Sequence, residues 1–372
     1  MNKSEFRSPA AQRAYLLITL TTILSSFAMS GQQAIVTNFF EGPLGLQGPQ
    51  FGYITAIREI PGFLIIFLTA LFYRLSLPRL TTLALSVLAI GYALFSIATD
   101  FASVTPWVIL SSIGYHTWLQ TQHSLAMSIT TEDKAGSILG HVTAVGNGGG
   151  LIAMIVMGVA FSMGWLTFNS AFVMLGIAAA LSGIVIFSYP HLKDGIEQQV
   201  RPTREPIVFR WQDYKYYYML NLLDGGRQQI FFSFGLWVLT HQYGLQVPQV
   251  TMMLIGVNII NTVIGQRVGA LIDRYGERPM LAAANVLYVV ALAGYGLVNN
   301  LWVVVACYTI YTVIFPFSWV GANTYLHKIA PHTDVAPTIA MGLTLQHVAA
   351  TIVPLATGFV LNFVGYQIPF LI

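Results

Sequence analysis

The chain has 372 residues, of which 55% are hydrophobic and only 8% are charged, with a formal net charge of +3. Its mean hydropathy is +0.67. A soluble domain carries about 25% charged residues, so this composition excludes a globule solvated by water alone and predicts a protein solvated mainly by lipid. The single cysteine excludes a disulfide framework and a cysteine-based zinc site within the chain.

Eleven apolar runs are each long enough to cross about 30 Å of hydrocarbon, which takes around 20 helical residues. They cover residues 14–38, 50–73, 80–99, 103–128, 136–163, 167–189, 212–240, 249–272, 279–298, 301–326 and 336–363. Residues 1–15 are polar and basic, and the first run is not followed by a convincing cleavage site. We therefore expect a retained helix rather than a signal peptide.

An extended polar stretch after the sixth run divides the chain into two halves. We predict an all-α multi-pass membrane protein of two pseudo-symmetric six-helix bundles, at 1–189 and 211–372, joined by a cytoplasmic linker at 190–210. The second bundle is expected to have five helices and the start of a sixth, because the chain ends at Ile372 where a twelfth run would begin.

The basic residues predict the orientation of these spans, because short cytoplasmic loops are enriched in Lys and Arg. The eleven runs place fifteen of the seventeen basic residues on one side: Lys3, Arg7, Arg13, Arg74, Arg79, Lys134, Lys193, Arg201, Arg204, Arg210, Lys215, Arg267, Arg274, Arg278 and Lys328. Arg58 and Arg227 lie inside predicted helices, and the opposite loops carry no Lys or Arg. That basic side is predicted to be cytoplasmic, with the N-terminus, in a cell (inner or plasma) membrane.

A short phrase, Gly-Leu-Gln-x-Pro-Gln, occurs twice, within residues 44–50 and 243–249. Both copies fall on the predicted outer side, at the start of the second helix of each half. Six spans separate them, an even number, so the two halves have the same orientation. Further matches lie at a similar offset, such as the Gln pair at Gln32 and the pair at Gln228. The phrase therefore indicates a duplicated bundle.

Residues 269–279, GALIDRYGERP, fit the pattern Gly-x-x-x-Asp-Arg-x-Gly-x-Arg in a cytoplasmic loop. This pattern resembles the signature of the major facilitator superfamily, and the six-plus-six plan extends the resemblance over the whole chain. The first-half copy departs from it at Tyr73 and Ser76. We name the second-half copy the gating loop, with the key residues Gly269, Asp273, Arg274, Gly276 and Arg278. Gly276 permits a turn with positive φ; the alternative is a plain basic hairpin.

The resemblance implies two bundles that rock about a central cavity and present a midplane site to each side in turn. It also places the first, fourth, seventh and tenth helices around that cavity, with the second and fifth helices between the halves.

Four charged residues lie well inside predicted helices, where a central charge costs about 2.5–3.5 kcal/mol unless it has a partner or water. Asp224 and Arg227 are three residues apart and can pair on one helical face. Arg58 and Glu59 are adjacent, so we expect them to point in different directions and to need partners on other helices. With a rise of 1.5 Å per residue, Arg58 and Arg227 are predicted to lie at similar depths in the membrane, slightly to the outer side of its midplane.

The seventh helix is the most informative segment. Gly225 and Gly226 each weaken a helix by about 1 kcal/mol, so they predict a bend or local unwinding at mid-depth. The functional interpretation makes Arg227 the anchor for an anionic group, with Gln228 and Gln229 as neutral hydrogen-bonding partners. The alternative is an intrahelical ion pair that only fixes packing.

Other polar residues in the runs are further candidates for the cavity, with simple helix packing as the alternative for each. The predicted solute-binding set adds Gln32, Gln33, Arg58, His116, Trp118, Gln120, Trp319 and Asn323, and Gln346 and His347 extend the lining. The predicted proton-coupling set is Glu59, Asp224 and His123. His116 and His123 lie about 10 Å apart along a helix, too far for one metal ion, so no metal is expected. The glycine-rich run GNGGG, 146–150, is expected to let helices pack closely.

These features predict an alternating-access secondary transporter for a small organic solute, anionic or amphipathic and proton-coupled. The alternative within transport is an exporter of lipophilic or cationic compounds, which would need Glu59 and Asp224 as unpaired acids. A more remote alternative is a non-transporting sensor or scaffold. We expect no enzymatic activity, no cofactor and no nucleic-acid partner, and a monomer in the bilayer.

Overall fold

The computed structural model describes residues 9–71, 75–129, 135–190 and 209–371, and all regular structure in these ranges is helical. The long helices are α1 Pro9–Glu41, α2 Gly48–Leu71, α3 Leu77–Leu94, α4 Phe101–Met127, α5 Ala135–Ser162, α6 Phe168–Phe187, α7 Trp211–Gln229, α9 Val247–Tyr275, α10 Glu277–Leu297, α11 Leu301–Ile329 and α12 His332–Val360. The short helices are α8 Leu236–His241 and α13 Ile368–Leu371. Of the residues discussed above, Lys3, Arg7, Tyr73, Arg74, Lys134, Lys193, Arg201, Arg204 and Ile372 lie outside the described ranges.

The predicted fold class is confirmed: the chain is an all-α, multi-pass membrane protein. Eight helices of the described residues are long and apolar enough to cross a membrane, namely α1, α3, α5, α6, α9, α10, α11 and α12. The other three long helices are α2, α4 and α7. They carry many of the ionisable and polar candidates, including Arg58, His116 and Asp224.

The chain forms two compact units. Unit 1 consists of Met1–Val36 and Leu64–Arg204. Within it, α3 packs against α4 and α6, and α5 packs against α4. Small residues let these helices approach closely. A Cβ on Gly114 would lie 2.5 Å from the carbonyl oxygen of Ala84, so only glycine fits at that crossing.

Unit 2 consists of Thr37–Phe63 and Glu205–Ile372. Its α7 packs mainly against α12, and α11 packs against α9 and α10. Aromatic rings fill its core: Phe231 stacks on Tyr311 with ring centroids 3.8 Å apart, and it meets Tyr295 edge-on at 4.8 Å. Such pairs add stability beyond their burial, so they fix the segment that follows α7.

The repeated phrase forms the same structure twice. Gly45 and Gly244 have φ of +62° and +66°, the left-handed conformation that glycine adopts without strain. The backbone N–H of Gln47 donates to the side chain of Gln50 at 3.0 Å, and that of Gln246 donates to Gln249 at 2.8 Å. The phrase recurs because it turns the chain after one helix and caps the start of the next.

The seventh predicted span contains an irregularity, but the predicted bend at Gly225 and Gly226 is wrong. Both glycines are part of the regular helix α7, where they allow close packing. A Cβ on Gly225 would lie 2.1 Å from the carbonyl oxygen of Gln346 on α12. The irregular part is a π-helical segment at Ile230–Gly235, between α7 and α8. Such π segments occur often at functional sites.

The glycine-rich run of α5 yields a first prediction. A Cβ on Gly149 would lie 2.5 Å from the backbone oxygen of Ile23 on α1, whereas nothing lies within 4 Å of a Cβ on Gly148. We expect Gly149→Ala to destabilise the protein by about 1–3 kcal/mol, because α1 and α5 must separate. Gly148→Ala is the matched control and should be neutral or slightly stabilising. Thermal unfolding in detergent measures both, and equal melting temperatures would contradict the predicted close contact.

Candidate functional site

The candidate site in unit 2 is built around polar side chains that α2, α7 and α12 bring together. Arg58 and Glu59 do meet, contrary to the expectation that adjacent side chains would point apart: Arg58 Nε lies 3.2 Å from Glu59 Oε1. Arg58 Nη2 also donates to Gln229 Oε1 at 3.3 Å. The Arg58 side chain remains 41% exposed, whereas Glu59 is buried. The guanidinium is therefore held in place while one face stays accessible.

Glu59 has a second partner on α12. His347 Nδ1 lies 3.4 Å from Glu59 Oε2, so this carboxylate stands between a guanidinium and an imidazole. An imidazole can be neutral or positively charged, so the net charge of this group depends on whether His347 carries a second proton.

Asp224 and Arg227 form the ion pair that their spacing predicts, through Asp224 Oδ1 and Arg227 Nη2. The guanidinium is enclosed further by α10 and α11. Its carbon lies 3.3 Å from the centre of the Tyr288 ring, and Nη2 is 3.4 Å from Ser318 Oγ. Tyr288 and Ser318 hydrogen-bond to each other at 3.0 Å. Arg227 is thus held on several sides by its own unit, as the packing alternative requires.

The close approach of α7 and α12 also joins two amides. Because Gly225 lies against the backbone of Gln346, the Gln346 side chain reaches across and donates from Nε2 to Gln228 Oε1 at 2.9 Å. Gln229 Oε1 accepts from Ser233 Oγ in the π segment at 3.1 Å. Gln229 therefore presents its amide oxygen to Arg58, while the amide of Gln228 is held by Gln346.

The other predicted residues of unit 2 lie on α11. Trp319 is largely exposed, although it lies midway along a membrane-spanning helix. Asn323 Oδ1 accepts from the Tyr217 hydroxyl at 3.1 Å, which joins α11 to α7. Trp319 thus has an exposed surface, and its solute-binding role stays a prediction, while Asn323 contributes to helix packing.

The candidates of unit 1 lie on α1 and α4 and differ in exposure. His116 is buried, with Nδ1 3.1 Å from Ser112 Oγ, and Trp118 is also buried. His123 is exposed, and no hydrogen bond joins it to His116 among the described residues. Three glutamines complete the set: Gln32, Gln33 and Gln120, of which the last two are exposed. The proton-coupling role of His123 stays a prediction.

The gating loop joins α9 to α10. Gly276 has φ of +87°, as the predicted turn requires, and its N–H donates to the Ile272 carbonyl at 2.8 Å. Asp273, Arg274 and Arg278 are exposed, as is Gly269. An ion pair between Glu277 and Lys328 joins the start of α10 to the end of α11. The structure thus confirms the turn, while the gating role of the charged residues stays a prediction.

Sequence reasoning missed the aromatic and hydroxyl partners of Arg227. Tyr288, Tyr311 and Ser318 lie in apolar runs with no motif around them. The signal that could have found them is general: a buried guanidinium needs acceptors or aromatic faces, and hydroxyl-bearing residues in neighbouring spans can supply both.

A comparison with known families matches the second half of the chain. Residues 217–372, which begin within α7 and include the gating loop and α8 to α13, match the model of the Major Facilitator Superfamily. The resemblance indicated by the gating loop is therefore confirmed. No curated protein matches the chain in a sequence comparison.

The fold is also that of solved transporter structures. A mutant of the nucleoside transporter NupG superposes with a TM-score of 0.79 at 15% identity, covering 96% of this chain and 95% of that one. An inward-facing, unoccupied bacterial homologue of the human lysosomal transporter Spinster gives 0.71 at 14% identity, covering 95% and 83%. At these identities the likeness establishes the fold.

A double-mutant cycle tests whether Asp224 and Arg227 act as one structural pair. We expect Asp224→Asn and Arg227→Gln each to destabilise the protein, by up to about 3–5 kcal/mol, because each leaves an uncompensated charge in the span. The double variant should be more stable than either single variant. Melting temperatures of all four proteins measure this coupling. Additive losses would show that the two residues contribute independently.

Proposed function

We propose that the protein is an alternating-access secondary transporter of a small organic solute, anionic or amphipathic, whose movement is coupled to protons. The family match and the transporter fold support the general mechanism. On this proposal the halves 1–189 and 211–372, joined by the linker 190–210, move against each other, and the gating loop controls the cytoplasmic side. The protein works as a monomer in a cell membrane with its N-terminus in the cytoplasm.

The observation that carries the anionic part is the position of Arg58. Its side chain is partly exposed on α2, within a run that the sequence predicts to span the membrane, and is oriented by Glu59 and Gln229. A guanidinium offers several donors in a fixed plane that matches a carboxylate or a phosphate. Because Arg227 is already enclosed by Asp224, Ser318 and Tyr288, we assign the anchoring role to Arg58. Gln228 and Gln229 supply neutral hydrogen bonds beside it.

The charges of this group support coupling to protons. Arg58 and Arg227 balance Glu59 and Asp224, so the group is electrically neutral while His347 is neutral. One added proton, on Glu59 or His347, leaves one positive charge in a span, which is costly without compensation. A solute anion provides that compensation. Entry of one anion together with one proton therefore keeps the site neutral, which favours symport.

A neutral polar solute is the second candidate. The Gln228–Gln346 amide pair and the exposed Trp319 offer hydrogen bonds and an aromatic face without net charge. A nucleoside has both features, and the solved structures with this fold include a nucleoside transporter.

Export of lipophilic cations is less favoured. It depends on unpaired acids at Glu59 and Asp224, and both carboxylates have cationic or imidazole partners.

Ligand-induced thermal stabilisation tests the solute class. Purified protein would be screened against organic anions, nucleosides and lipophilic cations at pH 6 and pH 8. A ligand at 100 times its dissociation constant stabilises by about 2.7 kcal/mol, enough to raise the melting temperature measurably. We expect anions to stabilise the wild type, more strongly at pH 6. Arg58→Gln should weaken anion binding by at least about tenfold, and Arg58→Lys less, because it keeps the charge but loses the planar donors.

Arg79→Gln is the matched control, since Arg79 is an exposed arginine at the start of α3, outside both the group and the gating loop, and it should leave anion binding unchanged. Stabilisation by nucleosides alone would favour the second candidate. Stabilisation by cations in both the wild type and Arg58→Gln would refute the anion proposal and favour export.

A further inference from the structure

The C-terminal ends of α1 and α8 meet at an ion pair that the proposed transport site does not include. Glu41 is the last residue of α1 and His241 is the last residue of α8. His241 Nδ1 lies 3.0 Å from Glu41 Oε1, and both side chains are partly exposed, at 42% and 23% respectively. These helix ends lie on the side that the Lys and Arg distribution predicts to be outside.

Two neighbouring contacts fix this geometry. The His241 ring stacks on Trp237, one turn earlier in α8, with centroids 4.6 Å apart and an interplanar angle of 13°. The buried amide of Asn38, one turn before the end of α1, donates to the carbonyl oxygen of Leu245 at 2.7 Å. Because the backbone ends are already joined by Asn38, forming the Glu41–His241 contact needs only two side chains to become ordered.

The predicted outer segments make His241 unusual. Residues 38–50, 98–103, 161–168, 239–249, 297–302 and 360–372 contain no Lys or Arg, and their acids are Glu41 and Asp100. His241 is therefore the basic side chain of these segments, and its imidazole becomes a cation when it takes up a second proton. The nearby phenols do not compete. Tyrosines titrate near pH 10, and burial raises the pKa of Tyr366, which interacts with Tyr243, still further.

We propose that the Glu41–His241 pair is a proton-sensitive contact that holds the outer ends of α1 and α8 together more strongly at acidic than at alkaline external pH. Protonation turns a neutral imidazole into a cation that both the Glu41 carboxylate and the Trp237 ring attract. The contact therefore strengthens as pH falls through the range in which imidazoles titrate, and weakens as pH rises. Opening between these helix ends requires that the pair break, so external pH biases that opening.

The expected effect is modest, because exposed ion pairs are weak. Such pairs change an equilibrium about 1.5- to 5-fold. The closed-to-open ratio of the two helix ends should rise by this factor between pH 8 and pH 5.5.

Spin labels on Pro43→Cys and Gln242→Cys report the separation of the two ends. Both positions are exposed, and the native Cys307 is buried, so labelling is directed to the introduced thiols. Dipolar EPR on the full-length protein in lipid nanodiscs would give the fractions of short and long distances at pH 5.5 and pH 8. We expect the short-distance fraction to increase on acidification.

Three variants test whether the Glu41–His241 pair, rather than another titrating group, causes the pH response. His241→Lys carries a permanent charge and should keep the short-distance fraction high at both pH values. Glu41→Gln removes the carboxylate and should lower the short-distance fraction at pH 5.5, with no response to pH. Asp100→Asn is the control at the other outer acid. The Ser103 backbone N–H lowers the pKa of Asp100, so its charge is constant over this range, and asparagine also caps helices well.

No pH response in the wild type overturns the proposal. So does a response that persists in both His241→Lys and Glu41→Gln, or one that Asp100→Asn abolishes. The measurement needs no solute, so its outcome is independent of the solute class proposed for the Arg58 site.

Discussion

The cost of placing charge in lipid is the constraint on which unit 2 depends. A central charge in a span costs several kcal/mol unless protein groups compensate it. Arg58, Glu59, Asp224 and Arg227 are compensated by one another and by polar groups of four helices. Each pair fixes the rotation of its own helix, because turning the helix would expose a charge to hydrocarbon. The charged residues thus determine which faces of α2 and α7 lie inward.

Close helix packing by glycine makes this compensation possible. Gly225 lets the backbones of α7 and α12 touch, and only at that separation can Gln346 reach Gln228 and can His347 lie near Glu59. A larger residue would move α12 outward and weaken polar contacts that are not next to it in sequence. The small residues and the charged residues therefore depend on one another, because the glycines set the helix separations across which the polar side chains interact.

The sequence was sufficient for most of the fold and for part of the site. Composition and run lengths predicted the membrane helices. The repeated phrase predicted a duplicated bundle, and its two copies form equivalent turns at Gly45 and Gly244. The Asp224–Arg227 pair followed from its spacing. Contacts between helices did not follow, because a sequence specifies which residues share a helix face but not which neighbouring helix that face meets. For this reason Tyr288 and Ser318 were missed.

The error at Gly225 has the same origin. Glycine weakens a helix and also permits close packing, and propensity alone cannot decide between these effects. At Gly225 the close packing against α12 prevails and the helix stays regular. The irregularity lies instead at Ile230–Gly235, where aromatic contacts hold a π segment. That segment connects the two proposed sites. Ser233 bonds to Gln229, a partner of Arg58, and α8 continues from the segment to His241. A change in π geometry would therefore move the Gln229 amide and the Glu41–His241 ion pair together, because both are attached to one continuous stretch of chain.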